Sequence, residues 1–465
     1  MFASSKLFAD RKYMLATQRQ LAWVCAVVQF AAFVLFGTCW LLYPDVHEVA
    51  VACGFMGIFS CLTPFIVALW TKEFRALLCG IAVFNLAPIW FLYLETVIPS
   101  YDAYIYTPPG YRFQAFLLIA LFLFTTNALY TFLWAPISRL SIRSFSFLGD
   151  LKPNVRSFYF VSLFTFVFPL VAFLGYYGSP GILWQAISGG RSGGGSFGGL
   201  LISDSVGALS SLMLPINWLW QTTPFFGTLT FVMATKKKSL EALIPLLMGF
   251  AVVFAFFLSG SRGNMMYVAA PIFYYFVVYN WNKGIKFWAT IIGCFFLLVG
   301  VMEMQVRFRG NLLEVITNPE KAARDNGLKS FTTIDVTESQ RDNNFYLLGL
   351  ILKGYPDKYE YEGFNDFVAI LLNPVPRAFW PGKPVLLGAK DIAYQAPFVL
   401  DGPLYMGTTS LSYSVVGEAY KAKGIFGIIF YASVYSLIII FFDALTVYSS
   451  RKQIIAVGLL GTSVF

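Results

Sequence analysis

Apolar runs of about twenty residues recur along this chain, and this recurrence limits its fold more than any other feature. A helix needs roughly 20 apolar residues to cross a hydrocarbon layer about 30 Å thick. The sequence therefore predicts an all-α polytopic membrane protein with about 10–12 transmembrane helices. Spans are expected near residues 21–43, 48–70, 74–95, 114–134, 157–177, 208–232, 240–259, 263–280, 285–303 and 424–447.

Composition agrees with this class. The chain of 465 residues is 58% hydrophobic and only 12% charged, which is more apolar surface than one soluble core could hide. We predict three parts: residues 1–303 as a bundle of nine helices, residues 304–423 as one long polar segment, and residues 424–465 as C-terminal helices.

Lysine and arginine are unevenly distributed between the loops. With a cytoplasmic N-terminus, 17 of the 33 cations fall in cytoplasmic segments, and the short outward loops hold only Arg112, Arg191 and Arg262. Cytoplasmic loops favour these residues, so this orientation is predicted, with segment 304–423 outside. The net charge of +9 then follows from topology and does not indicate a nucleic-acid partner.

The long segment contains 13 acidic and 13 basic residues and is neutral as a whole. Its FYLLGLILK stretch (345–353) is apolar but too short to span, so we expect a helix that lies in the interface or dips into it. In YEYEGFNDFVAILL (359–372) the spacing of Tyr361, Phe364, Val368 and Leu371 predicts an amphipathic helix that ends at the following prolines.

Two arginine-bearing turns stand beside this segment. SGSRGN (259–264) places Arg262 at the outer interface, and QVRFRGN (305–311) places Arg307 and Arg309 just after the ninth predicted span. An interfacial arginine is either a plain anchor or a partner of a phosphate. The R-G-N ending of each stretch is a turn signal that frees backbone N–H groups for a ligand.

The stretch PVPRAFWPGKP (374–384) cannot belong to a membrane-spanning helix, since proline fixes its own backbone and restricts the residue before it. It is either a rigid turn or a stiff ledge. As a ledge it would present Arg377 and Lys383, with Trp380 able to stack on the apolar face of a sugar.

Together with RDNNF (341–345), these motifs resemble the Wzy-type oligosaccharide repeat-unit polymerases of bacterial surface polysaccharides. The likeness is closest to the enterobacterial common antigen and O-antigen polymerase branch, where PVPRAFWPGKP looks like the P-x-x-x-W-P-G-[RK]-P element. The order and approximate separation of the motifs agree as well, so the resemblance covers roughly residues 240–465.

The resemblance implies a glycosyltransferase of GT-C-like architecture in the bacterial inner membrane. Such an enzyme transfers a growing glycan from undecaprenyl pyrophosphate to the next lipid-linked repeat unit at the periplasmic face. Its implied partners are this donor and acceptor, membrane lipids, a chain-length regulator and a flippase. By motif, the implied catalytic residues are Arg262 and Arg309, and the implied substrate-binding residues are Arg307, Arg341, Arg377, Trp380 and Lys383.

The chemistry of the residues fits this expectation. Arginine is suited to a pyrophosphate leaving group by its bidentate fork. The acceptor hydroxyl needs a general base, for which Asp342 and Glu418 are candidates, although each could instead be an ordinary surface carboxylate. With His47 as its one histidine and no D-x-D cluster, the chain is expected to need no metal or cofactor.

Two other functions stay open at this point. An O-antigen ligase relies on a histidine in its long loop, and residues 304–423 contain none. A flippase or transporter of lipid-linked oligosaccharide is expected to carry ionisable residues in mid-span, and Asp443 is nearly the only candidate.

Overall fold

The computed structural model describes residues 11–73, 76–77, 79–144, 155–188, 210–234, 240–259, 265, 268–273, 276–277, 284–307, 317–321, 344–365, 367–368 and 414–448. These residues form helices and turns, with no strand among them, so the all-α class is confirmed. Six of their helical stretches are long and apolar enough to cross a membrane, as in a multi-pass membrane protein: Thr17–Leu42, His47–Thr71, Gly80–Val97, Pro109–Ser141, Val155–Tyr177 and Ser414–Ala444.

The helices are numbered here in chain order. They are α1 Arg11–Leu42, α2 His47–Cys61, α3 Thr63–Thr71, α4 Gly80–Pro88, α5 Leu94–Val97, α6 Asp102–Tyr106, α7 Pro109–Ser144, α8 Val155–Tyr177, α9 Pro180–Ser188, α10 Ser210–Gln221, α11 Thr223–Ala234, α12 Leu240–Leu258, α13 Ile285–Arg307, α14 Asn344–Gly354 and α15 Ser414–Tyr448. A π-helical turn, Ile89–Tyr93, joins α4 to α5.

Three predicted spans are interrupted, each close to a proline. The second divides between α2 and α3, the third contains the π-helical turn, and the predicted span 208–232 divides into α10 and α11. Proline lacks an N–H and crowds the preceding turn, which explains breaks at Pro64, Pro88 and Pro224. Proline alone does not break a helix here, because continuous helices also contain Pro136, Pro169 and Pro245. Packing around each proline therefore decides whether the helix is interrupted.

The described helices pack in two groups. In the first, α7 lies between α1 and α15 and makes its most extensive contacts with them, and α2 and α14 join the same core. In the second, α8 packs with α10, α11 and α12. The first group contains both the N-terminal spans and the end of the long polar segment.

A buried carboxylate closes one end of the first group. Asp443, which is 1% exposed, accepts hydrogen bonds from the N–H groups of Gly80 (2.5 Å) and Ile81 (3.2 Å) and from the Tyr130 hydroxyl (2.9 Å). These N–H groups begin α4 and have no partner within the helix. Asp443 therefore acts as a helix cap.

Close approach of α11 to α12 depends on Gly227. A Cβ atom at this position would overlap the carbonyl oxygen of Pro245. We expect Gly227→Ala to destabilise the protein by about 1–3 kcal/mol through overpacking, seen as a lower thermal unfolding midpoint in detergent. Gly175→Ala is the matched control, since a Cβ there meets nothing within 4 Å and alanine favours a helix. Equal midpoints for both variants would show that α11 and α12 do not pack at Gly227.

Candidate functional site at one end of the bundle

Residues 344–365 of the long segment gather where α5 ends and α7 begins. Here α14 packs on α5, α6, α7 and α15, and every residue of α14 except Lys353 is buried. We call this region, comprising residues 95–112, 344–365 and 414–424, the α14 end. The sequence predicted a helix lying in or dipping into the interface, and the structure finds it inserted between the spans.

Glu95 holds the start of α14. The N–H groups of Asn344 and Phe345 donate to its two carboxylate oxygens at 3.0 and 2.8 Å, and the Glu95 side chain is 1% exposed. A carboxylate at a helix N-terminus satisfies N–H groups that lack partners within the helix and interacts favourably with the helix dipole. The long segment is thereby tied to the third span.

The connection between α5 and α7 is held by Arg112. Its Nε donates to the carbonyl oxygen of Thr107 at 2.8 Å, and its Nη2 donates to that of Tyr104. The guanidinium lies 5.5 Å from the Tyr104 ring centroid, and the His47 ring packs edge-on against the same tyrosine at 4.6 Å. On the α14 side, a Cβ at Gly349 would come within 2.9 Å of Thr107, so α14 packs directly on this connection.

An ion pair between buried Lys421 and partly exposed Glu362 closes the segment after α14 onto the start of α15. Lys421 Nζ lies 2.7 Å from Glu362 Oε2, and the Tyr355 hydroxyl donates to Glu362 Oε1 at 2.7 Å. The backbone joins as well: the N–H groups of Glu362 and Gly363 donate to the carbonyl oxygens of Lys421 and Ala422 at 3.2 and 2.9 Å. Because Lys421 is 1% exposed, the nearby Glu362 carboxylate helps to stabilise its buried charge.

The α15 helix bends sharply just beyond this pair. Lys423 and Gly424 leave the helical conformation, and Gly424 has φ 57° and ψ −136°, a backbone that glycine adopts without strain. A Cβ there would lie 2.7 Å from the Tyr361 hydroxyl oxygen. The predicted start of the last span at residue 424 therefore coincides with a kink, while the helical residues begin ten positions earlier, at Ser414.

The predicted amphipathic helix at residues 359–372 is wrong at Tyr361. The sequence placed it on an amphipathic helix with Phe364, but the structure places it in a turn before Gly363, whose φ is 74°. Helical hydrogen bonding begins afterwards, with the Val368 N–H donating to the Phe364 carbonyl oxygen at 2.9 Å. Tyr361 packs on the kink of α15 instead of lying on the helix face.

Few of the predicted site residues fall in the described ranges. Glu418 lies in α15, partly buried, three positions before Lys421 and therefore on the same helical face. Arg307 is the last residue of α13, and only its backbone is described. Their assembly into one site stays a prediction, because the following lie outside the described residues: Arg262, Arg309, Arg341, Asp342, Arg377, Trp380 and Lys383.

Sequence reasoning missed four charged groups of the α14 end, of which Glu95, Arg112 and Lys421 are buried and Glu362 is partly exposed. In the sequence, Glu95 is the last residue of a predicted span, and Arg112 is one of the few cations in the short outward loops. Glu362 and Lys421 contribute only to the charge count of the long segment. An acidic residue at the end of an apolar run indicates a charge with a specific partner, because a charge near the membrane interior needs one. The partners themselves are remote in sequence and meet only in the folded chain.

Comparisons of the chain with protein-family models, with curated protein sequences and with solved structures find no match. Function must therefore be argued from the sequence motifs and from the α14 end. Within the described ranges, no three His, Cys, Asp or Glu side chains come together to hold a metal ion. Independence from metal stays a prediction.

The Glu95 cap leads to a direct prediction. Glu95→Gln keeps the shape of the side chain but loses its charge and one acceptor oxygen, so we expect faster amide hydrogen exchange across residues 344–354. The loss of a charge-assisted cap corresponds to about 1–2 kcal/mol. Glu48→Gln, at an exposed position in the first turn of α2, should leave this exchange unchanged. Unaltered protection of 344–354 in Glu95→Gln would contradict the cap.

The ion pair can be tested by a double-mutant cycle. Glu362→Gln removes the carboxylate that lies 2.7 Å from the buried ammonium of Lys421, so we expect it to lower the free energy of unfolding more than Lys421→Met does. The double variant should regain part of the loss, with a coupling of about 1–3 kcal/mol. Glu360→Gln, at an exposed position two residues away, should have little effect. Additive single losses would show that the two charges do not interact.

Proposed function

We propose that this chain polymerises a bacterial surface polysaccharide. In this proposal it transfers a growing glycan from undecaprenyl pyrophosphate to the next lipid-linked repeat unit at the outer face of the inner membrane. The observation that supports it is the insertion of α14 into the bundle. Asn344 and Phe345, which Glu95 binds, are the last two residues of RDNNF, one of the motifs that carry the family resemblance.

The insertion fits the chemistry of a lipid-linked donor. The bond to be broken joins a sugar to a pyrophosphate, which sits at the head-group level because its polyprenyl chain lies in the bilayer. A catalytic segment must therefore be held at that level, and in this proposal the buried carboxylate cap on α14 holds it there. In this proposal the arginines and Lys383 of the long segment stabilise the charge that develops on the leaving pyrophosphate.

An O-antigen ligase is the second candidate, because the one histidine of the chain contacts the α14 end. His47 packs against Tyr104, a residue of that region. It is not part of the long segment in which that family carries its histidine. The two candidates differ in acceptor: a polymerase extends another lipid-linked repeat unit, and a ligase transfers glycan to a lipid A core.

The activity can be measured with the full chain in lipid nanodiscs, supplied with lipid-linked repeat units from the source bacterium. A polymerase yields a ladder of longer lipid-linked chains, and the ladder should persist with a chelator. Glycan transferred to added lipid A core, without a ladder, would establish the ligase instead. Absence of both products would refute both assignments.

The predicted cations provide the test of the site. Arg309→Ala and Lys383→Ala should each reduce elongation by about 100-fold or more, as loss of a preorganised charge-stabilising donor does. Arg139→Ala is the matched control, because Arg139 is exposed near the other end of α7, and it should elongate at the normal rate. Normal ladders from both test variants would show that the site has been assigned to the wrong residues.

A further inference from the structure

Arg112 is a buried cation that is not paired with a carboxylate in the part of the chain that the structure describes. The side chain is 1% exposed, and both of its hydrogen-bond partners are carbonyl oxygens, on Thr107 and Tyr104. It forms no ion pair with any described carboxylate. Its Nη1 atom is buried with no hydrogen-bond partner in the described part of the chain.

This arrangement is incomplete on energetic grounds. Burying an ion without a counter-charge is unfavourable even after the surroundings relax. The Tyr104 ring offsets only part of this cost through its cation–π contact. A water molecule would satisfy Nη1 but would supply no charge, whereas an anion supplies both.

The position of Arg112 indicates which anion. It is the fourth residue of the apolar stretch Pro109–Ser141, so it lies where a span enters the head-group layer, and phosphate is the abundant anion of that layer. Guanidinium groups bind phosphate by paired, charge-assisted hydrogen bonds. A second donor belongs to a residue that already contacts Arg112: Thr107 accepts from Arg112 Nε through its carbonyl oxygen, and its hydroxyl oxygen is buried without a partner among the described residues.

We propose that Arg112 and Thr107 form a phosphate-binding site at the α14 end. The phosphate comes either from the head group of a bilayer phospholipid or from the diphosphate of a polyprenyl carrier. The site requires only a phosphate ester at the membrane surface. The site itself does not depend on the proposed function. The statement that a polyprenyl carrier occupies it does rest on the proposed polymerase.

Direct binding measurements on the full-length protein in uncharged detergent test this site. The probes are farnesyl diphosphate, dihexanoyl phosphatidylglycerol and inorganic phosphate at matched ionic strength. We expect Arg112→Gln to weaken binding of the preferred probe at least tenfold, and Arg112→Lys, which retains the charge, to weaken it less. Arg139→Gln, at the exposed arginine near the other end of the same helix, should bind as the wild type does.

Thr107→Val keeps the proposal testable where an Arg112 variant fails to fold. Valine preserves the methyl contact with Gly349 but removes the hydroxyl, so we expect several-fold weaker binding with an unfolding midpoint close to that of the wild type. The results differ if Arg112 only stabilises the fold and binds no phosphate. Arg112→Gln would then unfold at a lower temperature yet bind every probe as tightly as the wild type, which would overturn the site.

The three probes identify the source of the phosphate. Preference for farnesyl diphosphate assigns the site to the carrier, preference for phosphatidylglycerol assigns it to phospholipid head groups, and equal binding of all three probes shows recognition of the anion alone. Binding that is absent for all three overturns the proposal. Because no acceptor or turnover is involved, failure of the polymerase assay would leave the binding result intact.

Discussion

The hydrogen bonds from the start of α14 to the Glu95 carboxylate are the constraint on which the α14 end depends. An apolar helix of eleven residues is too short to cross a bilayer and marginal as an isolated helix. Buried between the spans, it gains apolar contacts, but its first N–H groups would be left without water. Glu95 supplies the acceptors and a charge of the favourable sign for the helix dipole, so burial of the carboxylate and burial of the helix stabilise each other.

The same device recurs in the first helix group. Asp443 caps α4 at the opposite end of the bundle, and Glu362 neutralises Lys421 beside the α15 kink. In each case a charged side chain joins elements that are distant in the sequence. Buried charges are costly without a partner, so each pair disfavours packing arrangements that would separate its members. The exception among these buried charges is Arg112, whose charge has no anionic partner in the described residues.

These observations give the long segment a physical role in the proposed function. A glycosyltransferase that uses lipid-linked substrates must bring polar chemistry to the surface of an apolar bundle without unfolding its backbone into lipid. At the α14 end an apolar helix is inserted between the spans and capped, and the chain after it closes onto α15, which is what the proposed function requires. The last two residues of RDNNF lie in the capped turn, so the cap holds one element of the proposed active segment against the bundle.

The sequence by itself determined the helical class, most boundaries of the six apolar stretches and the existence of the short helix at 345–353, because periodicity and hydropathy are local properties. It did not reveal the helix breaks near Pro64, Pro88 and Pro224, because other prolines of the chain lie within unbroken helices. Packing supplies the missing contacts there. Nor did the sequence pair Glu95 with α14 or Glu362 with Lys421. Such pairs depend on distances between remote segments, and a single sequence carries no distances. Only the tertiary structure could decide them.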